Sequence, residues 1–322
     1  MTISLAEALT RGEEVPAVSL PLVRYRFEFR VSASVMLPEY AGSTIRGAFG
    51  RSLRRTACMT HMSDCKSCPL YRTCPYTMVF ETPPPAEHSL QKFSQIPNAY
   101  VIEPPHWGRH VYDVGEKLVF HMILFGRARS CLPLVIFALQ KAFAYDVGHG
   151  RAELLGVYEE AARGGALLYS AGMKEVASHD LCTEVAVPAG NEIGIRLETP
   201  LRLQQNGVPL GPERMTAKGF LSALLRRTAL VLEFQCGSPL ALDFGKLTAA
   251  SESVDLTMDL GWKDWTRYSS RQNRKMSLGG VVGEMNFRNV PAAFRILLAA
   301  GQYVHAGKNA TFGLGKLRFI QD

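Results

Sequence analysis

Between Val23 and Val31 the chain alternates with a period of two: Val23, Tyr25, Phe27, Phe29 and Val31 are apolar, while Arg24, Arg26, Glu28 and Arg30 are charged. Successive side chains of a strand face opposite ways, so the pattern predicts a half-buried β-strand with one face on a core. Leu37-Pro38 and Gly42 break it. Ser43 fits a helix N-cap, and a helix is predicted from there to about Ala57, with Ile45, Phe49 and Leu53 as its apolar stripe and Arg46, Arg51, Arg54 and Arg55 off that stripe. Tyr76–Glu81 reads as a short strand, Thr82–Pro105 as a proline-rich loop holding another, and Lys117–Phe125 as a strand. Leu132–Tyr145 reads as a helix with one buried face, and two or three strands follow between Leu154 and Val187.

Strand, helix, strands, helix, strand is the split βαββαβ order of a ferredoxin-like unit. The order then repeats. Glu192–Leu203 is predicted as a strand, Glu213–Glu233 as a helix after Pro212, Trp265–Ser270 and Met276–Phe287 as strands, Pro291–Ala300 as a helix and Lys316–Ile320 as a last strand. The expected fold class is α+β, with two tandem ferredoxin-like domains over 18–188 and 189–322, joined near Pro188-Ala-Gly190.

Composition supports this picture. A chain of 322 residues suits one large or two medium domains, and 47% hydrophobic against 20% charged residues excludes a disordered chain. The net charge of +7, from 36 Lys+Arg and 29 Asp+Glu, fits a polyanionic partner without demanding one. No run reaches the roughly 18 apolar residues of a membrane span; Val119–Ala144 is interrupted by Arg127, Arg129 and Lys141. The first residues lack the basic-then-apolar order of a signal peptide, so a cytoplasmic protein with no membrane partner is expected.

Three segments carry chemistry. Four of the seven cysteines, Cys58, Cys65, Cys68 and Cys74, fall within a short excursion over 58–76. Thiolates are soft ligands, and two cysteines separated by two residues can place both sulfurs on one ion through a tight turn, so a structural Zn²⁺ site is expected, with an iron–sulfur cluster as the alternative. The competing reading is four unliganded thiols in a loop. Second, Arg267, Arg271, Arg274 and Lys275 stand without an acid among them, interleaved with Tyr268 and hydroxyls. Cations bind phosphates and aromatic faces stack on bases; an exposed hairpin tip is the plainer reading. Third, residues 305–316 form a glycine-rich loop in which Gly307, Gly313 and Gly315 allow close backbone approach to a ligand and expose N–H groups to anions. His305 is the only histidine after residue 188 and stands close to Lys308. No GxxxxGK[ST], GxSxG or HExxH pattern is present, which leaves triphosphate binding, triad hydrolysis and metallohydrolysis without support.

Together these residues resemble the Cas6 family, the endoribonucleases of the RAMP superfamily that process CRISPR precursor RNA. The likeness runs through Tyr40-Ala-Gly-Ser-Thr-Ile-Arg-Gly-Ala-Phe-Gly50, the cysteine stretch into Tyr76–Glu81, Trp265–Gln272, Gly279-Gly280, His305-Ala-Gly-Lys308 and Phe312-Gly-Leu-Gly315. The resemblance implies a cleft for repeat RNA between two ferredoxin-like domains and metal-independent cleavage by the RNA's own 2′-hydroxyl. The products would be a 2′,3′-cyclic phosphate and a 5′-hydroxyl. It assigns His305 as general base or acid, Lys308 and Arg46 to phosphate stabilisation, and Tyr40 to proton transfer or positioning. Arg267, Tyr268, Arg271, Arg274 and Lys275, with Gly307, Gly313 and Gly315, would hold RNA. The rival role for His305 is a hydrogen bond that orders the loop. The rival function is a non-catalytic RAMP subunit that binds guide RNA beside other Cas subunits.

Overall fold

The alternating segment becomes β1 (Leu22–Ala33), the central strand of a sheet in the computed structural model, which describes residues 3–87, 95–108, 110–160, 165–240, 242–269 and 274–320. By contacts the chain forms two units: a first of residues 21–183 with 234–237, and a second of 1–20, 184–233 and 238–322. The division therefore falls at Thr183–Glu184, and the first twenty residues join the second unit.

In the first unit β1 is followed by β2 (Val35–Leu37), α1 (Gly42–Ala57), α2 (Pro75–Phe80), β3 (Tyr100–Glu103), β4 (His110–Tyr112), β5 (Lys117–Phe125), α3 (Leu132–Tyr145), β6 (Arg151–Glu159) and β7 (Ala166–Ser170). The main sheet is antiparallel, in the order β3-β5-β1-β6-β7. Counting from β1 and leaving out the edge strand β7, the order is 2-3-1-4. The register sets Phe27 between Phe120 and Val157. The apolar side chains of β1 join Ile45, Phe49 and Leu53 of α1 and Val135, Leu139 and Phe143 of α3 in one core, where the Phe29 and Phe143 rings stack at 4.1 Å. A fully buried residue of this size contributes about 1.5–3 kcal/mol relative to exposure.

The charged side chains of β1 pair among themselves and with neighbouring strands. Arg24 donates to Glu103 at 2.7 Å and also bonds Glu160, which His121 meets at 3.0 Å. Glu28, 95% buried, receives Arg26 at 2.6 Å and Lys117 at 2.9 Å. Buried carboxylates persist when each is paired and hydrogen-bonded, as here.

Two local expectations are corrected. Tyr76–Glu81 is not a strand: Pro75 pre-sets the first turn, the Met78 N–H donates to the Cys74 carbonyl at 2.9 Å, and the segment closes as helix α2. Helix α1 starts at Gly42, with Ala41 at the cap and no side-chain cap from Ser43.

The second unit contains β8 (Ile193–Leu201), α4 (Ala217–Cys236), β9 (Asp255–Lys263), β10 (Thr266–Ser269), β11 (Arg274–Ser277), β12 (Gly280–Arg288), α5 (Ala292–Val304) and β13 (Leu317–Phe319). The last residues of α4 cluster with the first unit. The four-stranded sheet runs β9-β12-β8-β13, again 2-3-1-4 when counted from β8. Phe220 of α4 stacks on Phe287 of β12 at 5.8 Å, and Ile195, Leu224, Leu297 and Leu317 are fully buried. The expected Met276–Phe287 strand is two strands, β11 and β12, broken at Leu278-Gly279. Strand β9 was not expected, although Leu256, Met258, Leu260 and Trp262 alternate along it. The architecture is mixed α+β with several sheets, and no described helix is long and apolar enough to cross a membrane.

The Glu160 carboxyl reports on the charged side of the first unit. Burial acts to raise it, but the His121 hydrogen bond and the Arg24 charge outweigh burial and hold it below its ordinary value. Such a group stabilises the folded state above its unfolded pKa, and that stabilisation fades as pH falls through the depressed value. Glu160→Gln should therefore be about 1 kcal/mol less stable than wild type at neutral pH. In denaturant titrations the gap should narrow as pH falls through and below the ordinary carboxylate range. A gap independent of pH would assign Glu160 no such role.

Candidate nucleic-acid interface

The glycine-rich loop is built on the end of α5. His305 takes φ +60°, and Gly307, Asn309, Gly313 and Gly315 also have positive φ. The loop folds onto its own unit: the Ala306 N–H donates to the Gly315 carbonyl at 2.9 Å, Gly315 to Pro200 at 3.1 Å, Lys308 to Arg202 at 3.0 Å and Gly313 to Ala310 at 2.9 Å. The Thr199 hydroxyl donates to the Gly313 carbonyl at 2.7 Å and receives the Lys316 N–H at 2.9 Å. The close approach that these glycines permit is therefore to the protein's own backbone. A Cβ on Gly315 would lie 1.9 Å from the Ala306 carbonyl oxygen, and one on Gly307 2.7 Å from that of Arg202. The N–H groups of Gly313 and Gly315, expected to face an anion, are bonded within the loop and its support.

His305 lies inside this knot. It is fully buried, and its Nδ1 is 3.2 Å from the Leu314 carbonyl oxygen. A ring so placed orders the loop and presents no atom to solvent. Lys308 is exposed at the loop's outer side, beside Gly307.

The basic segment forms a two-stranded ribbon, β10 paired with β11, in which Tyr268 stands opposite Lys275, Arg267 opposite Met276, and Ser269 opposite Arg274. Arg271 lies outside the described residues. The ribbon's root is fixed: the Leu278 N–H donates to the Trp265 carbonyl at 2.9 Å. The buried Trp265 ring meets Phe312 of the glycine-rich loop edge-on at 6.4 Å. The root of the ribbon and the loop thus share an aromatic contact.

Tyr40 and Arg46 belong to the first unit, His305 and Lys308 to the second. Tyr40 is 3% exposed, its ring 4.8 Å from that of Trp107, and burial with the nearby Glu103 charge pushes its hydroxyl well above the ordinary value. Such a phenol holds its proton. The Arg46 guanidinium lies 4.4 Å over the Phe80 ring, and its Nε is buried with no hydrogen-bond partner. Both are packed into their unit.

The four cysteines of the loop after α1 line one small pocket. Arg54 bonds the Met62 and Ser63 carbonyls at 2.6 and 2.8 Å and holds the loop's first half. Burial acts to raise the Cys58 thiol, but N–H groups of His61 and Thr60, the Thr60 hydroxyl and the Arg54 charge together lower it. Burial raises Cys65. The Thr60 hydroxyl is 3.3 Å from the Cys68 sulfur. The donor chemistry suits a soft ion. Among the described residues, however, no three Cys, His, Asp or Glu side chains converge on a common point that would hold one.

Two adjoining cavities of about 390 and 410 Å³ lie on the α1–α3 side of the first unit. They share Ala48, Arg51 and Asp146. Sequence reasoning took Arg51 only as part of a polar helix face and passed over His149, which lines the larger cavity.

Two antiparallel sheets of order 2-3-1-4, the second ending in a glycine-rich loop before its last strand, define an α+β protein of the class that includes solved Cas6 structures. A Cas6 product complex aligns with a TM-score of 0.56 at 14% identity, over 93% of this chain and 99% of that one. Thermus thermophilus Cas6 aligns at 0.54 and 14%, over 94% and 99%. A partial Cas6-RT-Cas1–Cas2 complex aligns at 0.55 and 14%, over 96% of this chain, which spans only 47% of the matched chain. At this identity the likeness is one of fold. No curated protein matches. Residues 195–317 match the family model of the CRISPR-associated endoribonuclease Cas6, and residues 20–181 match one described as an N-terminal domain. Residues 195–317 are thus similar to the Cas6 family in sequence, and the chain as a whole is similar to Cas6 structures in fold.

The loop's closure can be checked directly. Gly315→Ala places a methyl against a backbone oxygen at positive φ, so it should cost at least about 2 kcal/mol and lower Tm by several degrees. An unchanged melting curve would show that the loop is not closed in this way.

Proposed function

We propose that this protein is a CRISPR-associated endoribonuclease that binds repeat RNA and cleaves the precursor by metal-independent attack of the 2′-hydroxyl on the adjacent phosphodiester. One observation carries the reading: the segment matching the Cas6 family model contains both the basic ribbon and the glycine-rich loop, joined through Trp265 and Phe312. The strand order 2-3-1-4 in each unit supports reading the chain as two ferredoxin-like domains in tandem, with the cysteine loop as an insertion in the first.

In this reading Arg267, Arg271, Arg274 and Lys275 hold the RNA backbone, Tyr268 stacks on a base or packs at the ribbon, and Lys308 meets a phosphate. Cations there neutralise the phosphates of the bound strand and fix its register. His305 serves the reaction by ordering the loop. Cleavage requires RNA because DNA lacks the nucleophile. The second reading, a subunit that binds guide RNA beside other Cas proteins without cutting, draws on the burial of Tyr40 and His305. Assembly with other Cas subunits is compatible with either.

Cleavage of the cognate repeat RNA in excess EDTA separates the two. The expected result is cutting to a 2′,3′-cyclic phosphate end, and no cutting when the scissile nucleotide carries a 2′-deoxy sugar. Tight binding without cutting assigns the chain to the second reading.

We further propose that Cys58, Cys65, Cys68 and Cys74 bind a structural zinc ion. The four thiols share one pocket, and the lowered Cys58 thiol favours the thiolate that a metal needs. Binding would draw the sulfurs together and pin a loop with little core of its own. Metal analysis of protein purified without chelator should find one zinc per chain, lost in Cys65→Ser and Cys68→Ser. Iron with visible absorbance would replace zinc by an iron–sulfur cluster, and metal-free protein with four titratable thiols would overturn the site.

A further inference from the structure

His305 is sealed inside its loop. RNA cleavage through the 2′-hydroxyl needs a group that exchanges a proton near neutral pH, and imidazole is the side chain suited to that task. The first unit offers one in an unusual setting. Val147 and Gly150 exchange hydrogen bonds at 3.0 and 3.2 Å across a two-residue turn. The two central residues, Gly148 and His149, have φ of +61° and +62°. A turn with both central residues at positive φ selects glycine, asparagine or aspartate, because a larger L side chain is strained there. His149 stands where the backbone would accept asparagine or glycine more readily. Strain of this kind persists where the surrounding structure enforces it, and it gathers at functional sites.

The turn is also rigid. The Met36 N–H donates to the Gly148 carbonyl at 2.8 Å, and a Cβ at Gly148 would lie 2.5 Å from the Met36 carbonyl oxygen. The exposed imidazole is therefore presented from a turn locked to β2. It lines the cavity of about 410 Å³ together with Thr44 and Arg51 of α1 and Asp146 at the end of α3. Arg51 is turned back along its helix, with Nη1 only 3.5 Å from where a Cβ at Gly47 would be. The charged groups lining the cavity with His149 are Arg51 and Asp146; β2 contributes Met36 and Leu37, which do not titrate. Arg51 also lines the cavity of about 390 Å³, where Arg55 lies 5.8 Å over the exposed ring of Tyr145 and Lys141 is a further lining residue. Cations and an exposed aromatic ring next to an imidazole are the equipment of an RNA-cleaving groove.

We propose that this groove receives the scissile phosphodiester of the RNA and that His149 is the catalytic general base, an inference that rests on the endoribonuclease reading above. The neutral imidazole takes the 2′-hydroxyl proton. The 2′-oxygen bonds to phosphorus, the bond from phosphorus to the 5′-oxygen breaks, and that oxygen leaves as a hydroxyl with a proton from water. The imidazolium then returns its proton to the hydroxide so formed. Arg51, always charged, offsets the negative charge on the phosphorane-like transition state.

His149→Asn and His149→Gly provide the test, because either residue suits the turn's backbone and should fold at least as well as wild type. Cleavage should fall by about 100-fold or more. Binding of repeat RNA blocked by a 2′-deoxy at the cut should stay within about twofold, since the general base contributes little to ground-state affinity. The limb of the pH–rate profile set by the base should vanish in His149→Asn, and added imidazole should restore part of the cleavage to His149→Gly. A residue that merely shaped the turn would give neither effect. If wild type cuts and His149→Asn cuts at the same rate with the same pH profile, the assignment to His149 fails while the endoribonuclease reading stands. If wild type binds the RNA and leaves it intact, both fail.

Discussion

The first unit depends on a steric fact about its central strand. β1 has hydrogen-bonded neighbours on both sides, β5 and β6, and its alternate residues must enter the core shared with α1 and α3. A slip of one residue would exchange Tyr25, Phe27 and Phe29 for Arg24, Arg26 and Glu28 in that core. It would also separate Arg24 from Glu103 and Glu160, and Glu28 from Lys117. Apolar burial on one face and ion pairing on the other therefore enforce the same register. With that register fixed, α1 and the turn after α3 are fixed too, and so are the cavities between them.

Much of this was legible from the chain alone. The period of two in β1 and the stripe Ile45, Phe49, Leu53 in α1 are strong signals because each repeats over several turns or pairs. Tyr-Thr-Met-Val-Phe-Glu misled because a short apolar run suits strand and helix alike, and Pro75 at its start decided for the helix. The alternation in β9 was present but weak, since Gly261 and two aspartates interrupt its apolar character and Met258 and Trp262 are substantially exposed.

The candidate site was less legible, for a different reason. A lone histidine next to glycines and a lysine reads alike whether it reaches solvent or closes a loop. Only burial separates the cases, and His305 is buried. Asp146-Val-Gly-His-Gly150 reads as an ordinary connection after a helix. The clue was a histidine between two glycines in a two-residue turn whose central residues both take positive φ, and it becomes visible only once the length of α3 and the start of β6 are known. Glycine-rich sequence likewise suggests room for a ligand, whereas Gly307 and Gly315 give that room to the chain's own carbonyls.

The membership of the two units bears on how the protein is made. The second unit takes in both the first twenty residues and the last eighty-five, and the first unit borrows residues 234–237 from the end of α4. On the ribosome neither unit has all its parts when residue 183 has emerged. The first waits for the end of α4, and the second waits for β13. A protease cut or an engineered split at the 183–184 division would leave each piece short of a segment that its own contacts require. The segments of the two units are thus interleaved along the chain, so that neither unit is a continuous stretch of sequence.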